Sequence, residues 1–245
     1  MKKLFLMALV MFAAMSLYAD GKYVTYTSGG ESYEGYYISP ARNAPMVLLV
    51  HDWDGLTDYE VKRSRMLAEM GYAVFALDLF GKGVRPTETE DKRALTGSLY
   101  GDRDKMRRLL NAGMAAAKDQ GANTGMAVAA GYCFGGAAVL EMARSGADLK
   151  GFVTFHGGLG TPQGQDYSST RGKVVVFHGT ADRAVSMQDF AQLAIDLEKQ
   201  GIPHEMITYS GAPHAFTVFG SSRYHEEADL QSWKRFGEFL DETLK

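Results

Sequence analysis

A single cysteine stands at the centre of Gly131-Tyr132-Cys133-Phe134-Gly135-Gly136, which has the Gly-x-Ser-x-Gly spacing of a nucleophile turn with sulfur replacing the hydroxyl oxygen. Small residues two places before and after Cys133 allow a strand and the following helix to pass closely, which forces the central residue into a strained backbone. The thiol would then sit at a helix N-terminus, where unpaired N–H groups favour both a thiolate and an oxyanion. The N–H of Phe134 is the expected first oxyanion donor. A lone cysteine can also be a small buried hydrophobe. The catalytic reading therefore requires an acid and then a histidine later in the chain, each in a loop after a strand.

Both partners are present in that order. Asp182 follows Val174-Val175-Val176-Phe177, and His214 follows Ile207-Thr208-Tyr209. Asp182 would hold one ring nitrogen of His214 while the other exchanges a proton with Cys133. Its competing role is to cap the helix that starts near Ser186. Among the other histidines, His204 lies beside Pro203 and His225 within the expected last helix, so both read as structural or solvated. His156 and His178 end strands and could line the site, and His51 suits a wall of the cleft. There is no His-Glu-x-x-His run and no second cysteine, so no metal site is expected. Gly81-Lys82-Gly83 lacks the spacing of a phosphate loop or a dinucleotide fingerprint, and the chemistry requires no cofactor.

The elements that must position these residues follow from hydrophobic period and turn chemistry. Strands are expected over residues 23–28, 33–38 and 46–50, then a helix over about 59–70, a strand at 73–77 and helical stretches within 88–119. The pattern continues with a strand at 126–130, a helix at 135–144, strands at 152–155 and 174–177, a helix at 186–200, a strand at 205–209 and a last helix over about 224–244. The fold class is α/β: antiparallel N-terminal strands leading into a mostly parallel twisted sheet with helices on both faces. In such sheets functional groups gather at the carboxyl ends of the strands, where the loops that start at Tyr132, His178 and Ser210 lie. Residues 157–172 are polar and glycine-rich and suggest no element.

The chain has 245 residues, 46% of them apolar, and a formal charge of −3 spread without long single-sign blocks. That is enough for a sizeable core and excludes a polyanion-binding tail, so nucleic acid is not an expected partner. Met1-Lys2-Lys3, an uncharged apolar run over residues 4–17, and Tyr18-Ala19 before Asp20 have the layout of a secretory signal peptide, with cleavage expected after Ala19. The run is shorter than the roughly 20 apolar residues of a spanning helix, although a retained anchor is the alternative. The expectation is an exported protein, periplasmic or secreted, with one domain over residues 20–245 and no membrane association after cleavage. A monomer or weak dimer is expected.

Four stretches together resemble the dienelactone hydrolase (carboxymethylenebutenolidase-like) family of α/β-hydrolases, from about Tyr23 to the end. They are Val50-His51-Asp52-Trp53-Asp54-Gly55-Leu56, Gly71-Tyr72-Ala73-Val74-Phe75-Ala76-Leu77-Asp78-Leu79-Phe80-Gly81, the Cys133 turn, and Pro213-His214-Ala215-Phe216. The resemblance implies an α/β-hydrolase fold and cleavage of a small ester or lactone through a thioester acyl-enzyme. It also implies that the N–H of Trp53 is the second oxyanion donor, and that Asp52 stands where the family usually has a glutamate that interacts with the nucleophile. An acidic group there would disfavour thiolate at rest by like-charge repulsion. Family members acting on dienelactone hold its carboxylate with two arginines: Arg85 is expected to match one, and Val218 stands where the second is expected. His51, Tyr132 and Phe216 are the further expected substrate contacts. An acyltransferase with the same residues, or a non-catalytic binding protein on this scaffold, are the alternative functions.

Overall fold

In the computed structural model, residues 20–245 are described, and the expected signal segment, residues 1–19, lies outside them. The chain runs β1 (Lys22–Ser28), β2 (Glu31–Ile38), β3 (Pro45–Val50), α1 (Asp58–Glu69), β4 (Ala73–Leu77), α2 (Thr89–Gly101), α3 (Arg103–Asp119) and β5 (Asn123–Tyr132). It continues with α4 (Phe134–Arg144), β6 (Gly151–Phe155), β7 (Lys173–Gly179), α5 (Met187–Lys199), β8 (His204–Tyr209) and α6 (Glu226–Leu244). The strands form one eight-stranded sheet in the order β1-β2-β4-β3-β5-β6-β7-β8. The β1–β2 and β2–β4 pairs are antiparallel and every other pair is parallel. The expected α/β-hydrolase architecture is therefore present.

The central strands β3, β4, β6 and most of β5 and β7 are buried along their length, as expected when helices cover both faces of a parallel sheet. One apolar layer joins the sheet to α3, α4 and α5 through residues such as Leu110, Leu140 and Leu193. The other joins it to α1 and α6 through Leu67, Phe236 and Leu240. At the site, this two-sided burial determines which side chains can reach solvent at the strand ends.

Local chemistry sets the boundaries that periodicity leaves open. The helical stretch before β5 is two helices, because Asp102 leaves helical geometry and its carboxylate accepts the N–H of Lys105 to cap α3. The last helix starts later than expected. His225 lies outside it as its cap: Nδ1 accepts the N–H of Ala228. Residues 157–172 form no helix or strand but are held down by Tyr167, which is buried and accepts a hydrogen bond from Arg144 at 2.8 Å.

Candidate active site

The turn between β5 and α4 is forced by contact distances. A Cβ on Gly131 would lie 2.3 Å from the backbone of Gly135, one on Gly135 2.3 Å from Val50 O, and one on Gly136 2.1 Å from Thr154 Oγ1. Only glycine allows α4 to start so close to β3, β5 and β6. Cys133 is left at φ 48° and ψ −109°, a conformation that side chains seldom adopt. Its N–H donates to Phe155 O at 3.0 Å, so pairing with β6 fixes the turn. No side chain caps α4, which leaves its first N–H groups facing the sulfur.

His214 Nε2 lies 3.1 Å from Cys133 Sγ, and His214 Nδ1 lies 2.8 Å from Asp182 Oδ2. The other Asp182 oxygen accepts the N–H groups of Ala184 and Val185 at 2.8 and 2.9 Å. Burial works to raise the Asp182 pKa but is outweighed by the hydrogen bonds from His214 and Val185, so it is held below the usual carboxylate range. An ionised Asp182 accepts a hydrogen bond from the protonated Nδ1 and so turns the Nε2 lone pair toward the thiol. The cap role weighed for Asp182 belongs to Ser186 and Asp189, which exchange hydrogen bonds at the start of α5.

Residues 33–244 match the model of the dienelactone hydrolase family. The chain belongs to this family. A carboxymethylenebutenolidase-like protein of Aquifex aeolicus is 26% identical over 92% of this chain and 100% of its own length. Two solved structures each cover 92% of this chain and 98% of their own: one named m3DLH, 30% identical with a TM-score of 0.86, and a dienelactone hydrolase-like promiscuous phosphotriesterase from metagenomic libraries, 28% identical with a TM-score of 0.85. The protein is thus a member of a hydrolase family.

In this dienelactone hydrolase relative, Asp52 lies against both Cys133 and Trp53, the expected oxyanion donor. Its Oδ1 accepts the N–H of Trp53 at 2.6 Å, and its carboxylate is close enough to the Cys133 thiol for each to shift the other's proton affinity. Burial, and then the charge of Asp54, push Asp52 up to about 6. Burial, and then the Asp52 carboxylate, push the Cys133 thiol well above its ordinary range, against a smaller opposing effect of the Phe134 N–H. At rest the sulfur is therefore a thiol.

The side chains expected as substrate contacts are placed apart from those of Cys133, His214 and Asp182. Tyr132, one residue before Cys133, points to the opposite face of the sheet, where it is fully buried against Phe155 and Tyr59. Phe216 is equally buried, against His156 and Tyr209. His51 uses both ring nitrogens internally: Nε2 accepts the N–H of Leu79 at 3.0 Å and Nδ1 donates to Asp52 O. All three are walls of the core, with no surface open to the cleft. Arg85 donates to Val84 O at 2.8 Å and lies 4.0 Å from Asp78, whose carboxylate also accepts the N–H groups of Phe80 and Gly81. Its charge is taken up inside the β4 loop.

Other residues take the places at the cleft. Tyr100, at the end of α2, sets its ring edge-on to Phe134 at 5.4 Å, and burial pushes its hydroxyl pKa up. Arg183 and Arg223 line an open cleft with Ala181, Ala184, Pro213 and His214. No carboxylate pairs with either arginine among the described residues. Position next to Asp182 gave the sequence one hint, at Arg183. Tyr100 and Arg223 carry no local motif. Among the described residues no cluster of His, Cys, Asp and Glu is placed to hold a metal ion, and no helix is long and apolar enough to cross a membrane.

Proposed function

We propose that the protein is a carboxylic ester hydrolase that opens a small ester or lactone through a thioester on Cys133. The observation that carries this reading is the relay from Cys133 through His214 to Asp182, with 3.1 and 2.8 Å separations, on a strand-to-helix turn. The substrate carbonyl oxygen displaces the Asp52 carboxylate from the Trp53 N–H, which removes the like charge that keeps the thiol protonated. The thiol proton passes to His214 Nε2 as Sγ bonds to the carbonyl carbon, and the oxyanion is received by the N–H groups of Phe134 and Trp53. The C–O bond then breaks and His214 returns the proton to the departing alkoxide. Water, deprotonated by His214, cleaves the thioester and restores the thiol. Every proton and bond closes without a cofactor.

Arg183 and Arg223, which have no carboxylate partner among the described residues and line a cleft with His214, favour substrates that carry a carboxylate or phosphate. The reading extends to an exported enzyme, supported by the charged, apolar and small-residue layout of residues 1–19. Recovery from a periplasmic fraction with Asp20 as the first residue is the expected result. Turnover of short p-nitrophenyl esters and a lactone panel tests the chemistry: Cys133→Ala is expected to lose about a thousandfold or more. Equal rates in both proteins would remove the hydrolase reading, and acyl products formed only with an added amine or thiol would favour an acyltransferase. Phosphotriesters belong in the same panel because a related structure bears that activity in its name.

A further inference from the structure

The loop that carries His214 is anchored at Thr217, and its anchoring bonds lead into a buried polar chain that the nucleophile chemistry does not use. Arg63 on α1 is buried against α6, where it pairs with Asp229. The same guanidinium donates to Thr217 O at 2.9 Å and to Tyr59 Oη at 3.2 Å. Tyr59 Oη is 2.7 Å from Thr217 Oγ1, which in turn is 2.8 Å from His156 Nε2. The Tyr59–Thr217 bond can run in either direction; in the direction that leads away from Arg63, the Tyr59 proton goes to Thr217 Oγ1. In that direction the Thr217 hydroxyl proton goes to His156 Nε2, and His156 carries its own proton on Nδ1, which is buried without a hydrogen-bond partner among the described residues.

The chain ends against the base of the triad. The rings of His156 and His214 meet edge to face, with centroids 5.4 Å apart. Backbone strain marks the same place: His156 has φ 41° and Ala215 φ 62°, conformations that persist only where surrounding structure imposes them. Burial, and then the charge of His214, hold the His156 ring well below the ordinary histidine range, so it stays neutral while His214 cycles its proton. The Asp182 bond restrains His214 at one atom but leaves the ring free to tilt about it. A fixed neighbouring ring removes that freedom, and alignment within about 10–20° separates a productive base from a misdirected one.

We propose that Arg63, Tyr59, Thr217 and His156 are positioning residues for His214, a one-way hydrogen-bond chain from α1 that fixes the tautomer and plane of the ring behind it. The inference rests on the triad reading. Its test is Thr217→Val, which keeps the volume and removes the hydroxyl, beside Thr217→Ser, which keeps the hydroxyl. Kinetics on p-nitrophenyl acetate are combined with imidazole 15N spectra. The expected result is a kcat about tenfold lower in Thr217→Val with KM within twofold. Part of the His156 proton should move to Nε2 in that variant, and both properties should be near wild type in Thr217→Ser. Tyr59→Phe, at the other end of the hydroxyl chain, lowers kcat in the same direction and serves if Thr217→Val does not fold. Equal losses in the valine and serine variants, unchanged kcat in the valine variant, or wild-type His156 protonated at Nε2 would each overturn the proposal. Cys133→Ala is run alongside: wild-type turnover there defeats the nucleophile reading, while the tautomer still judges the chain independently.

Discussion

Cys133 faces two groups that act on its proton in opposite ways. His214 Nε2, at 3.1 Å, can take the thiol proton, whereas the Asp52 carboxylate penalises the thiolate that would result. Replacing Asp52 by asparagine keeps the shape and removes the charge. Alkylation of Cys133 by iodoacetamide at pH 7 is then expected to quicken about tenfold, the equivalent of one pKa unit. An unchanged rate would mean that Asp52 does not restrain the sulfur. Asp182→Asn should lower kcat about a thousandfold by presenting the wrong His214 tautomer to the thiol, with little change in KM. At the cleft edge, Arg183→Ala combined with Arg223→Ala is expected to cut kcat/KM about tenfold for an ester with an acidic leaving group. Its neutral methyl ester should be unaffected, and equal losses for both would count against an anion contact.

The β5–α4 turn is the element on which these residues depend, and its glycines are positioned by backbone contacts. A methyl group on Gly135 would meet Val50 O at 2.3 Å and His51 O at 2.5 Å, both buried main-chain atoms that cannot move aside cheaply. Gly135→Ala should therefore cost about 2 kcal/mol or more of stability and abolish turnover, read from thermal unfolding and ester hydrolysis together. Much of this element was legible in sequence, because the glycines, the strand before and the helix after are contiguous. So were the β4 strand and the loop placements of Asp182 and His214. The division of α2 from α3 and the late start of α6 were not, because each depends on a side chain, Asp102 or His225, turning back to cap a helix. The facing of Tyr132 and Phe216 was lost for a similar reason: a strand end gives alternation, but which face is solvent depends on where α1 and α6 pack.

At the scale of the molecule, the loop carrying Asp52 and Trp53 is tied to α1 by Glu60, which accepts hydrogen bonds from the N–H groups of Asp52 and Thr57 and from the Thr57 hydroxyl. Burial outweighs those bonds and, with the charge of Asp54 adding to it, pushes Glu60 up to about 8. A folded-state pKa above the unfolded value stabilises below the unfolded pKa, and that stability is lost as pH rises to the folded pKa. Glu60 should thus weaken folding by about 1 kcal/mol per pH unit between roughly pH 5 and 8. Glu60→Gln should flatten that slope in denaturant titrations, and a variant with the wild-type slope would contradict the assignment. Glu205, held down to about 2 by Arg235 and Lys173, acts oppositely, with stability present above the ordinary glutamate range and lost as pH falls through about 2. The sequence by itself determined the element order, the nucleophile turn and the acid-then-histidine succession, because each is written in neighbouring residues through period, glycine and loop position. Only the tertiary structure decided which of six histidines meets the thiol from 81 residues away, that Asp52 holds the Trp53 N–H, and that Arg63 reaches the His214 loop. Those outcomes depend on strand order and side-chain packing, which bring together groups that no local pattern links.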